Sequence, residues 1–115
     1  RGKLAAVRNL LSQRERKLAA TGMRAVYQES FQQATLATLR SSYLQAGHAD
    51  FPFVLDPDGR VLLYPADFPA LRGIATLADR PAGTTTLIAA DGRRVWVTFA
   101  PFRAWQWTVG WAVPE

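Results

Sequence analysis

Two aspartates and one histidine are the residues whose types most directly suggest chemistry. Asp56 and Asp58 precede Gly59, as acidic residues do at the start of a calcium-binding loop. However, Pro57 interrupts the required spacing, and the bidentate glutamate expected about nine positions later is missing. The segment is typical of a tight turn, because proline presets one backbone angle and glycine accepts a positive φ. His48 could serve as a general base or a pH switch, but it lacks a motif partner, which favours an exposed linker position.

The residue types exclude several classes of active site. The chain contains no cysteine and a single histidine, so a thiolate metal site, a cysteine nucleophile and any site with two imidazoles are excluded. The residues of a serine-type triad, a zinc centre or a phosphate-binding glycine loop do not occur in the required combinations. We therefore expect no enzymatic activity, no metal and no cofactor in this chain.

The size and apolar content are those of one domain with a substantial core. Hydrophobic residues make up 49% of the 115 positions, and a chain of that length buries roughly two-thirds of its unfolded surface on folding. No run of about 18 apolar residues occurs, so no segment is predicted to cross a bilayer. The start at Arg1 rather than at methionine suggests a piece of a longer protein, with any membrane segments outside it.

Charge and aromatic residues divide the sequence into two parts. Residues 1–48 hold eight Lys or Arg against two Glu, a balance of +6, whereas the remainder holds six Arg against seven acids. Ten of the thirteen aromatic residues lie in that second part. A basic segment could bind nucleic acid. The positive charges are spread around the predicted helix and no recognition motif accompanies them, which favours a solvated stalk or a segment just outside an anionic bilayer.

The first part of the chain is predicted to be a long helix. Between Lys3 and Gln45 there is no proline and only one glycine, Gly22, where we expect a bend. Gly47 is predicted to stop the helix. Apolar residues recur at steps typical of a helix: Leu4, Val7, Leu11, Leu18, Met23, Tyr27, Phe31, Leu36, Leu39 and Tyr43. Because this stripe drifts around the axis, we expect its first portion to pack against a second copy and its later portion against its own domain.

The second part of the chain alternates with a period of two, which predicts β-strands. One hairpin is predicted over 53–64 around the turn at 56–59, and a second over 84–100 around the turn at 91–93. A final strand is predicted over 105–113. One apolar face of that strand must be buried, and it consists of Trp105, Trp107, Val109, Trp111 and Val113.

The crossover between the two hairpins, residues 65–83, holds three prolines and two glycines and is predicted to have little regular structure. Long irregular segments inside a compact domain are usually functional, because ordering them costs entropy. The predicted order is helix, two strands, crossover and three strands. We therefore expect a single α+β domain over 1–115, helical over 1–47 and strand-bearing over 51–115.

Four segments in this order carry a likeness to a known family: Phe53–Pro65, Leu71-Arg72-Gly73, Asp91-Gly92 and Trp105–Gly110. Together they resemble a single Cache domain, a PAS-like extracytoplasmic sensor module of bacterial signalling proteins. The resemblance covers nearly the whole chain and implies a long N-terminal helix packed on a five-stranded antiparallel sheet. Many members have His-Pro where this chain has Tyr64-Pro65, and the amino-acid-binding signature of double Cache domains is not recognisable, so no ligand identity is carried over.

The resemblance also implies a small-ligand pocket between the sheet and the crossover. The residues expected to line it are Tyr64, Arg72, Arg80, Trp96, Thr98 and Arg103. Arginine suits a carboxylate, because its planar guanidinium donates two parallel hydrogen bonds. Structural roles stay open as alternatives: Trp96 could belong to the core, and the two crossover arginines could pair with Asp67 and Asp79. The three tryptophans of the final strand are assigned to the core.

The function implied by the resemblance is ligand sensing, in the periplasm or outside the cell, by part of a transmembrane receptor. The output module would be a histidine kinase, a diguanylate cyclase or a chemoreceptor. The expected partners are a small organic acid or amino acid, a second copy bound through the N-terminal helix, and flanking transmembrane helices. One alternative is a ligand-free dimerisation or protein-interaction domain, and a less favoured one is a basic nucleic-acid-binding domain.

Overall fold

The computed structural model describes residues 2–45 and 49–115. The predictions for Gly47 as a helix stop and for His48 as an exposed linker residue therefore lie outside the described residues. Two helices, α1 (Gly2–Ala20) and α2 (Arg24–Tyr43), come first. Five strands follow: β1 (Phe51–Leu55), β2 (Val61–Leu63), β3 (Gly83–Ile88), β4 (Arg94–Phe102) and β5 (Trp107–Pro114). None of the helices described is both long enough and apolar enough to cross a membrane.

The strands form one antiparallel sheet in the order β2-β1-β5-β4-β3, so the last strand in the chain is the central one. β5 pairs with β1 on one side and with β4 on the other. The two helices pack on one face of the sheet, here called the helix face, and the crossover packs on the other, the crossover face. Each face therefore carries a buried core, and every residue of β1 is shielded from solvent. The predicted α+β class and the two predicted hairpins are confirmed.

The helical part is a hairpin of two helices rather than one long helix. α1 ends where Gly22 adopts a φ of 67°, a conformation that glycine accepts because it has no Cβ. α2 folds back beside α1, so that Arg14 Nη2 donates a hydrogen bond of 3.2 Å to Thr38 Oγ1. The early apolar stripe is buried inside its own domain: Leu4, Val7, Leu11 and Leu18. The expectation that this stripe faces a second copy is wrong, because the sheet and α2 already cover it.

Asp50 lies immediately before β1 and joins that strand to α1 and β5. Its Oδ2 accepts hydrogen bonds of 2.9 Å from Lys3 Nζ and from Trp111 Nε1, and the Lys3 ammonium lies 5.5 Å from the Trp111 ring centre. Partial burial opposes ionisation of Asp50, but the hydrogen bonds outweigh it and lower the pKa of this carboxyl. The start of α1 is thus tied to the sheet through one carboxylate.

Glu15 makes the corresponding connection near the end of α1. Its Oε1 accepts a 2.8 Å hydrogen bond from Trp105 Nε1, and its carboxylate pairs with Arg24 at the start of α2. Hydrogen bonding from Arg24 lowers the pKa of Glu15, against the opposing effect of burial and with further help from the indole. Trp105 belongs to a 3₁₀ turn before β5 rather than to the strand, since Gln106 breaks the extended backbone with a φ of 55°. The predicted final strand therefore begins too early.

The crossover face carries its own apolar core. Its buried members are Phe51, Phe53, Leu55, Leu71, Leu77, Ala89, Val95, Val97, Phe99 and Ala112. Gly110 of β5 lies under the ring of Phe53, and a Cβ built there would come 2.7 Å or less from three ring atoms. The aromatic ring therefore requires glycine at this position. The crossover reaches this core through a 3₁₀ helix at Ile74–Asp79 and a single bridge between Leu71 and Ala89.

The segment from Asp56 to Gly59 is a turn, as predicted. Asp56 Oδ1 accepts 2.9 Å hydrogen bonds from the backbone N–H groups of Asp58 and Arg60, and Gly59 has a φ of 84°. Arg60 also pairs with the second carboxylate oxygen of Asp56. Both oxygens are engaged inside the turn. Across residues 2–45 and 49–115, no group of three or more His, Asp or Glu residues is arranged to hold a metal ion.

Candidate ligand-binding site

A small cavity lies on the crossover face, where the end of α2, the start of β1, the start of the crossover and the β3–β4 turn meet. Its volume is about 180 Å³, below the roughly 300–1,000 Å³ of pockets that hold drug-sized ligands. The lining residues are Tyr43, Leu44, Gln45, Phe51, Pro65, Asp67, Phe68 and Arg93. The space suits a ligand of a few non-hydrogen atoms.

Aromatic rings form one wall of this cavity and hold the start of the crossover. The rings of Phe51 and Phe68 are 5.0 Å apart and tilted, and Tyr64 meets Phe51 edge-on at 5.3 Å. The Tyr64 hydroxyl donates a 2.6 Å hydrogen bond to the carbonyl oxygen of Pro69. Burial of this phenol raises its pKa to about 12. The wall is therefore held by ring contacts with β1 and by a hydrogen bond within the start of the crossover.

Arg93 supplies the positive charge of the cavity lining. It leaves the β3–β4 turn, in which Gly92 has a φ of 92° and the backbone N–H of Arg93 bonds Asp91 Oδ1 at 3.1 Å. Its Nε donates a 2.9 Å hydrogen bond to Asp91 Oδ2, and its guanidinium carbon lies 4.5 Å from the Phe68 ring centre. The backbone and side-chain hydrogen bonds from Arg93 lower the pKa of Asp91. No described residue bonds the terminal nitrogens of Arg93.

Sequence reasoning missed Arg93 because its local signal is that of an ordinary turn residue. It follows Asp91-Gly92, a pair that predicts the turn and says nothing of a ligand. Only the folded hairpin brings its side chain over Phe68, which lies 25 positions earlier in the chain.

Three of the six predicted ligand residues lie on the crossover side, but none of them lines the cavity directly. Tyr64 packs behind the aromatic wall. Arg72 is exposed and donates a 3.3 Å hydrogen bond to the carbonyl oxygen of Ala90, while Arg80 lies 5.3 Å from the ring centre of Phe99. Within the described ranges, neither arginine pairs with the crossover carboxylates that were their alternative partners.

The other three predicted residues lie on the helix side of the sheet. Val95 and Val97 of β4 belong to the crossover-side core, so the alternation of the strand directs Trp96 and Thr98 to the opposite face. Arg103 lies in the turn after β4, beside α1. These residues do not line the crossover face, contrary to the expectation. Trp96 is also no core residue, because half of its surface is exposed.

A larger groove of about 810 Å³ lies on the helix face, between the first half of α2 and the β1–β2 turn. Trp105 and Trp107 contribute to its floor, and three glutamines of α2 line its side. Its arginine, Arg24, is already paired with Glu15. Arg24 bonds Glu15 through both terminal nitrogens, whereas Arg93 bonds Asp91 through Nε alone. Because the groove is also broad, it encloses a small anion less well than the crossover-face cavity does.

Solved structures with a similar fold include chemosensory and periplasmic sensor domains. A Cache chemosensory domain described for carboxylic acid recognition is 15% identical with a TM-score of 0.75, and the match covers 98% of this chain and 88% of that one. A periplasmic sensor domain of a chemotaxis protein is 16% identical with a TM-score of 0.73, covering 99% and 91%. A methyl-accepting chemotaxis protein from Vibrio parahaemolyticus is 15% identical with a TM-score of 0.52, covering 97% and 96%.

No protein-family model matches the sequence, and no curated protein matches it. At the identities found, the structural likeness establishes the fold. The chain has a Cache-type, PAS-like fold, so the likeness drawn from its motifs is confirmed at that level.

Proposed function

We propose that this chain is the ligand-sensing domain of a membrane-bound signalling receptor, exposed to the periplasm or to the cell exterior. The observation that carries the proposal is the crossover-face cavity, where the two terminal nitrogens of Arg93, which no described residue bonds, lie beside the ring of Phe68. The fold supports it, because solved domains of the same fold include chemosensory and periplasmic sensor domains. The domain binds its ligand without transforming it.

The ligand is a small carboxylic acid or amino acid. Arg93 would donate two parallel hydrogen bonds to the carboxylate, and the rings of Phe51 and Phe68 would cover a short apolar chain. Asp67 adds a negative charge to the lining, which the ammonium group of an amino acid would meet. Carboxylic acid recognition by a solved domain of this fold supports the same chemistry.

The signal leaves the cavity through the start of β1. Phe51 lines the cavity and directly follows Asp50, which bonds Lys3 of α1 and Trp111 of β5. A ligand that prefers one position of Phe51 over another would move Asp50 with it, since only a difference in affinity between two states can shift their populations. The resulting displacement of α1 against β5 would be about 1–2 Å, the usual scale of such helix shifts.

In the intact receptor, we expect flanking transmembrane helices and a second copy of the domain. Contact between copies would use the exposed face of α1, whose small side chains allow close approach, as at Ala5, Ala6 and Asn9. The output module would be a histidine kinase, a diguanylate cyclase or the signalling part of a chemoreceptor. Displacement of α1 relative to β5 is the change that such a module would read.

Ligand binding is tested by thermal unfolding with acetate, propionate and alanine, in the wild type and in Arg93→Gln. A ligand that binds only the folded state stabilises it by about 2.7 kcal/mol at one hundred times its dissociation constant. We expect concentration-dependent stabilisation that Arg93→Gln abolishes. Arg72→Gln removes the same charge from an exposed arginine outside the cavity and should leave the stabilisation intact. Absence of stabilisation by all three compounds, or equal stabilisation of Arg93→Gln, would refute the site.

The ligand-free interaction domain is a second candidate, favoured by one observation. The tip of the helical hairpin exposes three large apolar side chains, Met23 at 50%, Val26 at 63% and Tyr27 at 41%. Under this alternative, no carboxylate would stabilise the domain, and Val26→Glu would dissociate a dimer seen by sedimentation equilibrium. Binding to random duplex DNA at moderate salt tests the nucleic-acid alternative, for which we expect no affinity.

A further inference from the structure

One end of the helix face is left uncovered by the helices. Trp96 of β4 is 50% exposed, Val113 of β5 is 45% exposed and Ile88 of β3 is 38% exposed. Trp96 lies directly opposite Val113 of β5. Ile88 lies two positions beyond the β3 residue that pairs with Trp96, so it is diagonally across from Trp96. These three side chains form one contiguous surface, called here the Trp96 patch. The other three tryptophans are at most 5% exposed.

The Trp96 patch lies at the end of the sheet that also holds both described ends of the chain. The backbone N–H of Glu115 bonds the carbonyl oxygen of Arg94 at 3.0 Å, so the end of β5 is beside the patch. The first turn of α1 reaches the same end, because Lys3 bonds Asp50 and lies over Trp111. If membrane segments flank the domain, as the proposed function holds, this is the end that faces the bilayer.

Basic side chains border the Trp96 patch. Arg94 lies opposite Ile88 in the β3–β4 pair and projects from the same face as Trp96. Arg8 of α1 lines a shallow groove with Thr98, which follows Trp96 by two residues on the same face of β4. In the part of the chain that the structure describes, neither arginine forms an ion pair. Glu115 follows β5 at this edge, while Asp50 and Asp91 at the same end of the sheet are each paired with a basic side chain. The chain as a whole carries a net charge of +5.

We propose that the Trp96 patch docks on an anionic lipid surface, an inference that rests on the membrane orientation in the proposed function. An indole with an apolar body and one N–H donor is suited to the headgroup region, with Ile88 and Val113 entering the apolar boundary. Arg94 and Arg8 would contact lipid phosphates or carboxylates. A second copy fits this face less well, because a two-fold contact would bring the same unpaired arginines together.

The test uses the whole chain with vesicles of phosphatidylcholine, with and without phosphatidylserine. Trp96 is the exposed tryptophan of the four, so quenching of fluorescence by acrylamide reports on it selectively. We expect vesicles that contain phosphatidylserine to shift the emission to shorter wavelength and to protect Trp96 from acrylamide, with less effect at high salt. Cosedimentation should follow the same order and should be lost in Trp96→Ala.

A pair of arginine variants separates the patch from general basic charge. Arg94→Ala should weaken vesicle binding about fivefold, because a basic residue near an anionic surface contributes about 1 kcal/mol. Arg103→Ala removes the same charge from the opposite end of the sheet and should leave binding unchanged. Trp96→Phe, which keeps an apolar ring at the patch, controls for any loss of folding in Trp96→Ala.

Three results would overturn the inference. The first is that the wild type binds neither kind of vesicle, and the second is that both Trp96 variants bind as the wild type does. The third is that Trp96 becomes protected from acrylamide as the protein concentration rises without vesicles, which would assign the patch to a second copy. Carboxylate-dependent stabilisation of Trp96→Ala should equal that of the wild type. A failure of lipid docking is thereby distinguished from a failure of ligand sensing.

Discussion

Replacing Glu15 should loosen the junction between the helical hairpin and the sheet. Its carboxylate accepts a 2.8 Å hydrogen bond from the buried indole of Trp105 and pairs with Arg24 across the hairpin turn. Glu15→Gln keeps an acceptor for the indole and loses only the ion pair, whose partner is exposed, so its effect should be small. Glu15→Ala leaves the indole N–H without an acceptor, which should cost a further ~1–2 kcal/mol.

The size of the effect on thermal unfolding follows from the length of the chain. At about 2.1 cal/mol/K per residue, the unfolding entropy of a domain of this size makes 1 kcal/mol equivalent to about 4 °C. Glu15→Ala should therefore melt about 4–8 °C below Glu15→Gln in calorimetry near neutral pH. The pKa of Glu15 is lowered on folding, so its contribution is present above its unfolded pKa of 4.5 and is lost as the pH falls below it.

The acid arm of the same experiment should bring the wild type and Glu15→Gln together. As the pH falls below about 4.5, the wild type should lose its advantage over Glu15→Gln, because the ion pair with Arg24 is lost. Its advantage over Glu15→Ala should largely remain, because a protonated carboxyl group still accepts the indole hydrogen bond. Equal melting temperatures of Glu15→Gln and Glu15→Ala at neutral pH would refute the role assigned to the indole hydrogen bond. If the wild type's advantage in melting temperature shrank as the pH was raised, the predicted direction of the pH dependence would be refuted.

Three further predictions concern the sheet and the cavity wall. Gly110→Ala should destabilise the domain by about 1–3 kcal/mol in urea unfolding, because its Cβ would overlap the ring of Phe53, and Phe53→Leu should cancel part of that loss; simple additivity of the two changes would contradict this. The pKa of Tyr64 is raised to about 12 on folding, so its contribution is full below pH 10 and is lost above it; Tyr64→Phe should remove this alkaline loss, measured by circular dichroism, and an unchanged profile would argue against it. Asp50→Asn should make the domain less acid-sensitive below about pH 4, since Asp50 has a lowered pKa and its hydrogen bond from Trp111 can persist; a greater acid sensitivity would count against the proposed bond.

The strands could be predicted from the sequence because their signals are local. Alternation with a period of two and the Asp-Gly pairs specify both hairpins, and the structure has them within a few residues. The reversal at Gly22 could not be predicted, because one glycine in a helix-favouring segment is compatible with a bend or a turn. Contacts between α1 and the sheet decide between the two, and they join residues far apart in the chain.

The sequence predicted the side of the sheet on which the candidate site lies but none of the residues that line its cavity, for a related physical reason. The alternation of apolar and polar residues along β4 shows that Trp96 and Thr98 share a face. It does not show which face the crossover covers, because each face of the sheet carries a buried core. The crossover arginines lie on the expected side, yet the backbone path directs Arg72 toward Ala90 rather than into the cavity. The cation that does line the cavity, Arg93, comes from a turn whose final position depends on the register of β3 with β4.

The most direct test of the central claim is a titration of the isotope-labelled chain with propionate and with alanine, followed by amide chemical shifts in NMR spectra. The proposed site predicts that the largest shifts cluster at the end of α2, at residues 65–68 and around Arg93, and that smaller shifts reach Lys3 through Asp50. Shifts confined to the groove between α2 and the β1–β2 turn, or no shifts with either compound, would contradict a carboxylate-sensing site on the crossover face.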